Sequence, residues 1–214
     1  MKASWRFRAF RLQVCVVVAM VWATGNAQSA DFLTWGELPE LPNSLGVAGP
    51  FAGVHGDALI VAGGANFPKP VWETDKQWVA DVFVLVGQDG GGPETWVSAQ
   101  ALSRRIAYGA SVSTSDGVVC MGGNNGRETF ADVQLLQWDP EQNRVQVSSY
   151  PSLPEPCAFG SATLLGETIY LAGGQAGQEL SSAMNNFWAL DLSHKENPDQ
   201  FRWRRLTAWP GDSR

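Results

Sequence analysis

The sequence predicts an all-β protein built from repeated four-stranded units, a kelch-type β-propeller, and three observations carry the prediction. Apolar runs end in glycine pairs at Gly63-Gly64, Gly122-Gly123 and Gly173-Gly174, spaced 59 and 51 residues apart. A turn precedes each pair by five to seven residues, at His55-Gly56-Asp57, Asp116-Gly117 and Gly166-Glu167. After each pair come a polar loop and two more strands, the last carrying Trp96, Val145 or Trp203. A period near 50 residues with short strands is the kelch period.

Each element follows from local chemistry. First strands are expected over 47–54, 107–113 and 157–165, and second strands over 58–62, 118–121 and 168–172. The turn between them needs a positive φ, which glycine supplies without steric cost. The glycine pair that ends each second strand lets the backbone turn tightly and lets neighbouring sheets approach. Third strands are expected over 81–86, 132–138 and 187–192. A tryptophan on the fourth strand would wedge between successive blades, and Val145 departs from that pattern.

These boundaries place blades at 44–103, 104–154 and 155–210. Residues 31–43 read as an N-terminal closing strand and 211–214 as the start of another blade. Propellers commonly close when one terminus donates a strand to the blade made by the other. About three blades do not close a ring, so the expectation is a truncated propeller. A natural half-propeller, or two chains completing one ring, is the alternative.

The first residues read as a secretory signal peptide. Lys2, Arg6, Arg8 and Arg11 precede an apolar run from Leu12 to Ala23, and small residues follow. Cleavage is expected after Ala27, or else after Ala30. An uncleaved anchor is the alternative, although a run of 12 residues is short for a bilayer. Removing residues 1–27 takes the net charge from −6 to −10. An acidic exported domain without a basic block excludes nucleic acid and anionic membrane as natural partners. Periplasmic or secreted localisation follows. Export permits a Cys120–Cys157 disulfide; their positions inside expected strands favour two buried free thiols.

Val47 to Gly53, followed by Ala62 to Pro68, resembles the N-acetylneuraminate epimerase, or sialic acid mutarotase, family of cyclically permuted mutarotases. Ala107-Tyr108-Gly109, Val119 to Gly123, Phe187 to Leu192 and Trp209-Pro210-Gly211 extend the resemblance across residues 32–214. It implies a six-bladed periplasmic propeller, no cofactor and no metal, and exchange between the α and β anomers of a sialic acid. It also implies a glutamate followed six residues later by an arginine, after a glycine in a later blade. No Gly-Glu-x5-Arg stretch follows a glycine pair here, so the catalytic residues are unknown. The alternative is a non-catalytic carbohydrate- or protein-binding module.

If the ring is complete, the loops after the glycine pairs and before each first strand line one mouth of its channel. Asn66, Asn124, Asn125, Glu128 and Gln175 fall in the first set of loops, and Arg104, Arg105 and Tyr108 near the second. Amides suit sugar hydroxyls and an N-acetyl group, and an arginine fork suits a carboxylate. Each has a plainer explanation. Asparagine after Gly-Gly tolerates left-handed turns, arginines solvate loops, and a tyrosine packs. His55 and His194 lack a second ligand at metal spacing. Gly90-Gly91-Gly92 opens no helix and reads as a hairpin loop.

Uncovered blade faces and an unpaired strand imply self-association. Sedimentation of residues 28–214 is expected to show oligomers or aggregates. A monodisperse, cooperatively melting monomer contradicts this.

Overall fold

The computed structural model describes residues 35–88 and 92–213. The expected leader and residues 28–34 lie outside the described residues, as do residues 89–91 and 214; of the expected loop Gly90-Gly91-Gly92 only Gly92 is described, and it opens a strand.

Three antiparallel four-stranded sheets follow one another along the chain. The first contains β1 (Phe51–His55), β2 (Ala58–Ala62), β5 (Val82–Gln88) and β6 (Gly92–Ala99), with a two-stranded ribbon of β3 (Ala65–Asn66) and β4 (Gln77–Trp78) between β2 and β5. The second contains β7 (Ala110–Thr114), β8 (Gly117–Met121), β9 (Val133–Asp139) and β10 (Arg144–Tyr150). The third contains β11 (Ser161–Leu165), β12 (Thr168–Ala172), β13 (Phe187–Asp191) and β14 (Arg204–Arg205). Within each sheet the strands lie in chain order, which is the meander of a propeller blade.

Three expectations need correction. First strands begin at 51, 110 and 161, three or four residues later than the apolar runs suggest. The reason is a reversal of backbone hand just ahead of each one: Gly49, Tyr108 and Phe159 have φ of 60°, 62° and 60°. The fourth strand of the third blade starts after Trp203, not on it. The indole is nevertheless buried, with its N–H donated to the Pro151 carbonyl at 2.9 Å. Residues 35–43 form no strand; Pro39 is met by the Trp96 indole, whose Nε1 donates to its carbonyl at 2.9 Å.

Side-chain alternation sorts the core into two layers, one on each face of the middle blade. Val118 and Cys120 of β8 join Phe51, Ile60, Val84 and Ile106 in the layer toward the first blade. Val119 and Met121 join Ile169, Leu171, Trp188 and Trp203 in the layer toward the third. All five residues of β8 are therefore buried, whereas β2 and β12 alternate. A strand covered on both faces reads as a continuous apolar run, and Val118 to Met121 is one.

Polar contacts join the first strands of adjacent blades. The Ser111 hydroxyl accepts the Ala52 N–H at 3.1 Å and donates to the Ala52 carbonyl at 2.8 Å. Ser113 Oγ accepts the Val54 N–H at 2.8 Å. Hairpin tips reach to the next blade too. His55 Nδ1 accepts the Trp138 N–H at 2.9 Å, and Asp116 pairs with Lys195. Cys120 and Cys157 are free and buried. Cys157 lies ahead of β11, not within it.

The glycine pairs do more than turn the chain. The first glycine of each pair donates its N–H within the blade, Gly63 to Asp81, Gly122 to Asp132 and Gly173 to Asn186. The second donates to the carbonyl of the segment entering the next blade, Gly64 to Ile106 and Gly123 to Cys157, both at 2.8 Å. A Cβ on Gly63 or Gly122 would overlap that same carbonyl. Gly122→Ala is expected to cost more than about 3 kcal/mol, combining a left-handed backbone with a backbone clash. Gly56→Ala, at φ 58° in open space, should cost only about 1–2 kcal/mol. Urea unfolding of the two variants measures the difference.

Candidate functional site

The site begins with the residue that follows each glycine pair. Ala65, Asn124 and Gln175 form reciprocal backbone hydrogen bonds with Ala48, Ala107 and Ala158, at 2.7–2.9 Å. Those bridges pin the residue that comes next, left-handed Gly49, Tyr108 or Phe159. The Tyr108 N–H donates to the Gly49 carbonyl and the Phe159 N–H to the Tyr108 carbonyl, each at 2.7 Å. One peptide thus hands on to the next from blade to blade. The Tyr108 and Phe159 rings stack, with centroids 4.9 Å apart. A Cβ on Gly49 would overlap the Tyr108 ring, which explains glycine there.

The loop after the first glycine pair reaches this row. The β3–β4 ribbon carries Phe67, Lys76 and Trp78 to it, with Lys76 Nζ 5.0 Å from the Tyr108 ring centroid, 5.5 Å from that of Phe67 and 5.9 Å from that of Trp78. Asn124 is 2% exposed. Its Oδ1 accepts the Trp78 indole N–H at 3.1 Å and the Gly126 N–H at 3.3 Å. Gly126 lies so close beneath Trp78 that a Cβ there would overlap the indole. In the third blade's loop, Gln178 Nε2 donates to Thr129 Oγ1 at 3.1 Å.

The structure divides the residues expected from sequence. Asn124 is joined to the segment that carries Tyr108 by its backbone bridge to Ala107, and its side chain holds Trp78. Gln175 holds the equivalent bridge one blade on. Asn66 ties the ribbon to the entering chain, its Nδ2 donating to the Gly46 carbonyl at 2.9 Å. Asn125 caps its own turn, Oδ1 accepting from the Arg127 and Glu128 amides at 3.0 and 2.9 Å. None of the asparagines after the glycine pairs is left-handed: the glycines take that conformation themselves, so the asparagines' side chains do the bonding. Glu128 and Arg105 are exposed.

Arg104 is not brought to the amides. It pairs with Asp132 at 3.2 Å and lies over the Phe130 ring at 4.5 Å. The cavity beside it, lined by Phe51, Ile106 and Asp132 among others, is only about 10 Å³, room for a single water. A larger groove of about 470 Å³, lined by Gln100, Ser103, Arg144 and Gln146 among others, shares no lining residue with the mouth.

Lys76, Trp78, Phe67 and Phe159 were not legible as site residues. Phe159 could have been found by aligning the repeats, since it stands where Tyr108 does. Neither thiol is a candidate nucleophile. Burial pushes Cys157 up to about 12 and Cys120 higher still, leaving both protonated at neutral pH. Among the described residues no three metal-ligating side chains gather.

Blades of this meander define a kelch-type propeller. The family model of N-acetylneuraminate epimerase matches residues 21–145. The chain belongs to that family. It is 34% identical over 137 residues to the N-acetylneuraminate epimerase of Yersinia enterocolitica, covering 55% of this chain and 33% of the relative. Against that of Brucella suis it is 36% identical over 118 residues, covering 48% and 29%. The chain therefore spans about a third of the length of the curated relatives it matches. The solved structure of YjhT superposes with a TM-score of 0.63 at 14% identity, covering 86% of this chain and 58% of that one, a likeness of fold.

Asn124→Ala should cost about 1–3 kcal/mol, since it strips the Trp78 and Gly126 N–H groups of their acceptor. Asn125→Ala, which removes a cap on an exposed turn, should cost less than about 1 kcal/mol. Denaturant unfolding monitored by far-ultraviolet dichroism compares them.

Proposed function

We propose that these 214 residues supply sugar-binding blades of an exported N-acetylneuraminate epimerase, a six-bladed propeller when whole. The anomer-exchanging acid–base pair is not among them. The observation that carries this reading is the mouth itself, found in a chain of the epimerase family: a buried amide orienting an indole beside a stacked Tyr108–Phe159 pair. Aromatic faces take the C–H faces of a pyranose.

Exchange at the anomeric centre needs a base for the anomeric hydroxyl proton and an acid for the ring oxygen. The sequence offers no glutamate and arginine at the family's spacing after a glycine pair, and Arg104 is committed to Asp132. Binding without turnover follows for these residues alone. The basic and apolar start, residues 1–27, supports export, with cleavage after Ala27 or Ala30.

The test is proton NMR of freshly dissolved N-acetylneuraminate with added protein. Ligand signals should broaden while anomers exchange at the spontaneous rate. Acceleration would overturn the partial-enzyme reading, and unbroadened signals would overturn sugar binding.

A further inference from the structure

Lys76 is placed as a cation would be if its charge were meant for something outside the chain. It stands just ahead of β4, half-buried, with its ammonium facing three aromatic rings. Aromatic faces attract a cation through their quadrupole, but they leave its N–H donors without directed acceptors. No carboxylate neutralises it: the ion pairs among the described residues join Arg104, Arg144, His194, Lys195 and Arg205 to their partners, and Lys76 is in none of them. Lys69, Arg105, Arg127, Arg202 and Arg204 are in none of them either, but they are exposed, whereas Lys76 is half-buried and held over aromatic rings.

The surroundings hold that ammonium in place from several sides. Trp78 is locked by Asn124 and seated on Gly126. Tyr108 is fixed by its backbone bonds to Gly49 and Phe159 and by its stack on the Phe159 ring. Tyr108 and Phe159 keep left-handed backbones that cost about 1–2 kcal/mol each, held by the backbone bridges on either side of them.

We propose that Lys76 is the anion-binding residue of this mouth and takes the carboxylate of an acidic sugar. Phe67, Trp78 and Tyr108 set the ammonium's position. The assignment rests on the sugar-binding reading above and replaces the arginines as the partner of the charge. A lysine suits the role as a compact point charge with three donors on a flexible stem.

The experiment titrates the full chain with N-acetylneuraminate and with its methyl ester, by ligand-observed NMR, for the wild type, Lys76→Met and Lys76→Arg. The wild type should prefer the acid by about tenfold, the scale of a hydrogen bond to a charged group. Salt should weaken binding of the acid and not of the ester. Lys76→Met should erase the preference, bringing the acid down to the affinity of the ester, and Lys76→Arg should retain it. If Lys76→Met keeps the preference, another group holds the carboxylate and the assignment falls. Equal binding of acid and ester by the wild type also overturns it, independently of any variant's folding, and leaves sugar binding intact. Binding of neither removes the sugar reading and the assignment together.

Discussion

The architecture depends on one hydrogen bond that recurs at both blade junctions, the second glycine of the first two pairs, Gly64 and Gly123, donating its N–H to the chain entering the next blade. That contact brings two backbones together with no side chain between them, which glycine alone permits. It fixes where the next blade starts, and so where the flanking bridge to Ala107 or Ala158 forms. The mouth inherits its geometry from that bridge. The apolar layers on either side of the middle blade stabilise the stack without setting its register. Apolar contacts are non-directional, whereas a carbonyl aligned with an N–H at 2.8 Å is not.

The sequence was legible where the backbone demanded a particular residue. Glycine pairs at a steady interval announced the blades, and the turns before them placed the first hairpins. The starts of β1, β7 and β11 were misplaced because Tyr108 and Phe159 hide a left-handed turn behind side chains that normally avoid one. Once Gly49 is seen to share their position, the turn becomes visible in the sequence.

The site was harder to read. Asn124 was visible because it follows a glycine pair, although its role is to hold Trp78 and not to turn the chain. Lys76 and Trp78 sit in a loop whose length differs from those of the other blades, so no repeat marks them. Their meeting with Tyr108 crosses from one blade to the next, and a spacing rule within one unit cannot register it. Arg104 misled for the opposite reason: it lies near the mouth in sequence, but Asp132 and Phe130 draw it between blades.

The row formed by Gly49, Tyr108 and Phe159 has a consequence for how such a mouth diversifies. The step from one unit to its neighbour is taken by amide and carbonyl groups common to every amino acid. Hydrogen, phenol and phenyl occupy equivalent places without altering it. The scaffold's pitch and its chemical lining are therefore separately adjustable, and a new ligand can be accommodated by exchanging what projects from the row while its peptide spine is left as it is.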